Sequence, residues 1–190
     1  MKKLIKKGLL FGFYCIIVLW IIMGVVWIFP ELTQYGIIPR ELSIKSFLGI
    51  LTSPFIHKDF IHIVSNSIPL FLLITTLVIL YRRVAFRVIL FSILMGGSLV
   101  WVFGREASHI GSSGLILSLI GFLIANVFFR KDWKSLLIAI CVVAVYGGAI
   151  FGIFPNNPTV SWESHLFGFL SGIYLAFAFR KTPEIARRKL

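Results

Sequence analysis

Six apolar runs, each close to twenty residues long, leave this chain few ways to fold. They fall near 8–29, 60–80, 84–103, 113–129, 135–154 and 162–179. A helix needs ~20 apolar residues to cross a hydrocarbon core of ~30 Å. Within that core every backbone N–H and C=O must be paired inside the protein, which leaves helices or a closed barrel. The runs are continuous rather than alternating, so they predict helices. Together they take up most of the 190 residues, 58% of which are hydrophobic, and leave no stretch for a soluble core. The expectation is an all-α polytopic membrane protein, with six transmembrane helices forming a single domain over residues 1–190. No fixed-period repeat or low-complexity tract divides it.

A net charge of +12 raises the question of nucleic acid, and the distribution of the charge answers it. Lys2, Lys3, Lys6 and Lys7 precede the first run, and Arg82, Arg83 and Arg87 lie between the second and third. Arg130, Lys131 and Lys134 lie between the fourth and fifth, and Arg180, Lys181, Arg187, Arg188 and Lys189 follow the sixth. Six spans put these fifteen of the nineteen lysines and arginines on one side, against Arg40, Lys45, Lys58 and Arg105 on the other. The positive-inside rule assigns the basic side, and with it both termini, to the cytoplasm of a plasma (inner) membrane. The charge reads as topology, with no nucleic-acid partner. The first run is too long for the core of a signal peptide and no small-x-small cleavage site follows it, so it reads as a retained span. Cys15 and Cys141 fall inside spans and read as small packing residues.

The connections differ by side. Those assigned to the cytoplasm are short and basic. The first outer loop runs from Pro30 to about Asp59, and its stretch "SIKSFLGILTSPFI" reads as an amphipathic segment lying in the outer interface. The fifth loop, "PNNPTVSWES", is rich in Pro and Asn and reads as non-helical. Gly-x-x-x-Gly spacings at Gly8/Gly12, Gly148/Gly152 and Gly168/Gly172 point to close helix packing.

Polar side chains inside spans are costly, so each is a candidate for function. Here they collect at one depth. Spans two, four and six all start on the outer side. His62 and Asn66, four apart and so on one helix face, lie in the first turns of span two; Ser113 opens span four; His165 lies in the first turn of span six. At ~1.5 Å per residue all four fall within ~10 Å of the outer helix ends. Gly168 and Gly172 share a stripe with His165 and permit a close approach to span four. A serine within reach of a histidine has an activating base. His62, Asn66 and the backbone N–H groups opening span four could then donate to a developing oxyanion. The neighbouring polar residues read more plainly: Ser112 as a helix N-cap, His57 and His109 as interfacial, Glu163 as a loop residue.

Other chemistries fit poorly. The G-x-S-x-G elbow fails because Leu115 stands at its last position. No H-E-x-x-H metal motif occurs, and Asp59 and Asp132 fall on opposite sides, which excludes a carboxylate dyad. With no acid inside a span, the reading is a Ser–His dyad without metal or organic cofactor.

These residues resemble the rhomboid family of intramembrane serine proteases. "GIIPREL" and "LTSPFIHKDFIHIVSN" are similar to the family's approach to H-x4-H-x3-N, here His57, His62 and Asn66. "WVFGREASHIGSSG" carries G-x-S-G with Ser113, and "SHLFGFLSG" carries H-x2-G-x3-G with His165, Gly168 and Gly172. The resemblance implies a rhomboid-like bundle in which Ser113 is the nucleophile and His165 the base. It implies an oxyanion hole of His62, Asn66 and the Ser113 amide, in a cavity opening outward under the fifth loop, with span five as a lateral gate. Leu117 stands where the family often has an aromatic, Ser164 where it often has alanine, and the first loop lacks the Trp-Arg pair of some members. The expected activity is hydrolysis of peptide bonds in or near the transmembrane segments of membrane-protein substrates, with membrane lipids as the other partner. The alternatives are a catalytically silent binder or chaperone of transmembrane helices, and a small transporter or channel subunit. The apolar inner halves of spans two, four and six count against the last.

Overall fold

The computed structural model describes residues 2–155 and 160–182. Residues 156–159 of the Pro/Asn-rich fifth loop and the terminal basic residues Arg187, Arg188 and Lys189 lie outside the described residues. Among those described the chain is helical, with one isolated bridge between Ile37 and His109. The helices are α1 (Lys2–Ile28), α2 (Ile44–Thr52), α3 (Phe60–Leu80), α4 (Ala85–Phe103), α5 (Ser113–Arg130), α6 (Trp133–Ile150) and α7 (Trp162–Ala178). Short 3-10 turns cover Pro30–Tyr35, Ser53–Phe55 and Phe151–Ile153.

Five helices, α1, α3, α4, α5 and α6, are long and apolar enough to cross a membrane. The sixth expected span, α7, has 17 residues. At ~1.5 Å per residue it reaches about 25 Å, the short end of the crossing range. The bundle is apolar on the outside as well as the inside. Phe13, Ile21, Ile140 and Val145 are all exposed, as expected where the solvent is lipid, and the chain is a multi-pass membrane protein.

Helix α5 is the axis of the fold. Nearly every residue from Leu115 to Leu123 is buried, because α3, α4, α6 and α7 all pack against it. The position shelters its polar side chains from lipid: Ser118 donates to the Ser92 hydroxyl of α4 and Asn126 to the Phe122 carbonyl. Its closest neighbour is α7, and two glycines explain the approach. A Cβ on Gly168 would collide with the Gly114 carbonyl, and one on Gly172 with the Ser118 carbonyl. Gly8 and Gly12 do the same for α1 against Thr75, Ile79 and Phe71 of α3. The third spacing is different. Gly148 has open space around it, while Gly152 faces the His165 ring.

The first loop carries an inverted amphipathic helix. α2 is capped by Ser43, which accepts a hydrogen bond from the Ser46 N–H. It buries the small residues Ser46 and Gly49 and exposes Ile44, Phe47, Leu48 and Leu51. An apolar face turned away from the bundle fits the interface position read from the sequence.

Candidate active site

Helices α3, α5 and α7 begin at the same end of the bundle, and a cavity of about 510 Å³ opens between their first turns. Ser113, His165, His62 and Asn66 all line it. Each is positioned by the way its helix starts. Asp59 caps α3 by accepting from the His62 N–H at 2.8 Å, and Asn66 follows one turn later, ahead of Pro69 within the same helix. Ser113 is the first residue of α5. The N–H groups of that first turn have no carbonyl partner within the helix. Ser161 caps α7 by accepting from the Ser164 N–H, which sets His165 in the first turn. Gly114 lies beside the Ser164 carbonyl, so Ser113 and His165 belong to adjoining turns of touching helices.

The ring nitrogens can be assigned from their partners. His165 Nδ1 lies 3.0 Å from the Gly152 carbonyl oxygen. A carbonyl only accepts, so the neutral ring carries its proton on Nδ1 and leaves Nε2 as the basic nitrogen. For His62 the roles are reversed: its Nδ1 accepts from the Lys58 N–H at 3.5 Å, which makes Nε2 the donor. That nitrogen faces Gly111, two residues before Ser113, where a Cβ would lie 2.8 Å from it. Gly111 also has φ +109°, a conformation that side chains resist. Glycine is required there on both counts. The Asn66 amide nitrogen is on the same side, 3.7 Å from the same virtual Cβ. It is buried and has no hydrogen-bond partner among the described residues.

Four residues differ from the sequence reading. Ser112 occupies the N-cap position of α5 but makes no capping bond; its hydroxyl and its N–H both meet His57 Nε2, at 3.2 and 3.3 Å. His57 is therefore no interfacial residue. It is 1% exposed, stacked edge-on against His62 at 4.9 Å, and burial, with His62 beside it, pushes its pKa down to about 4. His109 is buried as well. Its Nε2 donates to the Arg105 carbonyl at 3.1 Å and its Nδ1 pairs with the Ser161 hydroxyl, and burial lowers its pKa. Glu163, read as a loop residue, sits in the first turn of α7 at 2% exposure. Its Oε1 lies 3.5 Å from Arg105 Nε, and Arg105 also donates to the Val160 carbonyl. These residues fasten the loop before α5 to the start of α7. The one local signal for them was the density of polar residues in "REASHIGSS". The partners that fasten them, Ser112 to His57, Ser161 to His109 and Arg105 to Glu163, lie more than fifty residues away, beyond the reach of spacing.

A helical multi-pass membrane protein whose polar cavity, at one end, brings together Ser113, His62, His165 and the Asn66 amide is the class these features define. The chain belongs to the rhomboid family: a sequence model of the Rhomboid domain matches residues 45–182. It is similar to uncharacterised proteins of Mycobacterium tuberculosis (34% identical over 163 residues, 80% of this chain and 66% of the relative) and Mycobacterium leprae (33%, 80% and 63%). The chain thus spans somewhat under two thirds of the length of those relatives. Bacillus subtilis YdcA, provisionally named a rhomboid protease, is 22% identical over 171 residues, 82% of this chain and 83% of that protein.

Proposed function

We propose that this chain is an intramembrane serine protease that hydrolyses peptide bonds in or near the transmembrane segments of other membrane proteins. Ser113 Oγ attacks the scissile carbonyl while His165 Nε2 takes its proton. His62 Nε2–H, the Asn66 amide and the Ser113 N–H donate to the oxyanion. His165 then gives its proton to the departing amine as the C–N bond breaks, which leaves an acyl group on Ser113. The same nitrogen takes a proton from the water that attacks the acyl-enzyme and passes it to Ser113 Oγ as the acyl C–O bond breaks, so that the acid product leaves and the serine is restored. The basic ends of the helices face the cytoplasm and the cavity faces outward, with lipid around the bundle.

One observation carries the reading. Groups from the first two turns of three helices line a single cavity, and one of them, the Asn66 amide, is buried without a partner among the described residues. A donor left unpaired in the resting protein costs stability, and it is the arrangement expected of a group whose partner exists only in the transition state. Membership of the rhomboid family supports the same chemistry. Co-expression with a panel of single-span reporters tests it: wild type should cleave at least one and Ser113→Ala none. Reporter association without cleavage by any variant would favour a silent binder of transmembrane helices instead.

A further inference from the structure

Among the described residues no carboxylate stands where a catalytic histidine is normally oriented by one. A triad acid holds the ring by its Nδ1–H, which fixes the tautomer so that Nε2 faces the serine. Among the described residues the titratable group nearest in sequence, Glu163, is turned to Arg105, and Leu117 offers no aromatic face. What meets His165 Nδ1 is the carbonyl of Gly152 at 3.0 Å, in the 3-10 turn that ends α6.

Gly152 has to be glycine for this to happen. A Cβ there would lie 2.6 Å from His165 Nδ1 and 3.2 Å from Cε1. Its backbone does not need glycine, because Gly111 alone among the described glycines has positive φ. The missing side chain serves the ring rather than the turn. The neighbouring glycines of α6 behave otherwise. Gly148 has nothing within 4 Å, and Gly147 meets only Val143 at 4.0 Å.

We infer that Gly152 is the positioning residue of the dyad: its carbonyl takes the place of the triad carboxylate, holding His165 as the Nδ1–H tautomer with Nε2 free to act as base. The inference rests on the protease reading and adds to it a dependence on α6. That helix buries only Ser135, Ala139 and Val142, a single narrow stripe, so the base is tied to the least buried of the five candidate spans. Displacing the outer end of α6 lifts the carbonyl from Nδ1 and releases the ring.

The test compares Gly152→Ala with Gly148→Ala, in lipid, by the rate of fluorophosphonate labelling and by kcat and KM on a cleaved reporter. Gly152→Ala should slow labelling and lower kcat at least about tenfold, part of the ~10²–10⁴ that a positioned base contributes, with KM unchanged. Gly148→Ala should stay within about twofold of wild type, as expected of an exposed site. Equal rates for Gly152→Ala and wild type would overturn the inference, as would a rise in KM alone. A second readout needs neither activity nor a folded Gly152 variant. In ¹⁵N-histidine spectra of Ser113→Ala at about pH 8, where the ring is neutral, the signal lost in Ser113→Ala/His165→Ala should be the Nδ1–H tautomer. The Nε2–H tautomer would refute the proposal. Failure of wild type to label at Ser113 would instead remove the protease reading, while the tautomer signal would still decide the role of Gly152.

Discussion

Asn66→Ala should move activity and stability in opposite directions. The amide nitrogen of Asn66 is buried with no partner among the described residues, and such a group costs roughly 1–3 kcal/mol of folding free energy. Truncation recovers that cost and gives up packing worth about 0.8 kcal/mol per buried methylene equivalent, at a site already open to the cavity. Stability should therefore hold or rise by up to about 1 kcal/mol. In the transition state the same nitrogen has an oxyanion to bind. Losing one such donor costs ~2.7–4 kcal/mol in other enzymes. Here His62 Nε2–H and the Ser113 N–H remain, so about 2–3 kcal/mol is expected, roughly 30- to 150-fold in kcat. KM should not change, because the oxyanion is absent from the ground state. The assay is reporter cleavage in liposomes alongside thermal unfolding in detergent. A variant that unfolds several degrees earlier, or raises KM with kcat intact, would make Asn66 a structural residue and not an oxyanion donor.

Gly111→Ala should lose more than about 100-fold in kcat and also destabilise the fold, because it combines φ +109° with a Cβ 2.7 Å from the His62 ring; reporter cleavage and unfolding check both. Acid should weaken the native state through His57. Its folded pKa of about 4 lies below the ordinary 6.5, so the unfolded chain binds the proton more readily, and stability present above pH 6.5 is lost as pH falls through about 4. His109 shifts in the same direction, and melting curves of His57→Gln across that window should fall less steeply than wild type. For topology, a cysteine in place of the exposed Glu106 should react with an impermeant maleimide added outside intact cells and one in place of Lys131 should not; the reverse pattern would invert the proposed orientation.

The helices were legible because lipid imposes one requirement on every residue of a span. The α3 run read from the sequence, 60–80, coincides with the observed helix. The margins were less so: α1 already begins at Lys2, since a helix continues past its apolar stretch when its lysines can extend their stems along it and keep the ammonium in water. The residues that line the cavity were visible as a shared depth at three helix starts. Their supports were not. His57 gave no sign of burial, because its hydrogen-bond partner Ser112 lies fifty-five residues on. Glu163 looked like a loop acid until Arg105 was brought to it by the fold. The Gly148/Gly152 spacing looked like the Gly168/Gly172 one, yet Gly148 faces open space and only Gly152 meets α7, at its histidine. Positive φ at Gly111 left a trace in "IGSSG", but a glycine before a helix is common enough to be read as punctuation.

The proposed protease depends on Ser113, and not Ser112 beside it, being the nucleophile activated by His165. Mass spectrometry of the purified protein in lipid, after exposure to a fluorophosphonate, tests this directly. A single modified peptide is expected, with the adduct on Ser113, lost in His165→Ala and in Ser113→Ala although Ser112 is still present. An adduct on Ser112, labelling that survives His165→Ala unchanged, or no adduct on the folded wild-type protein would contradict it.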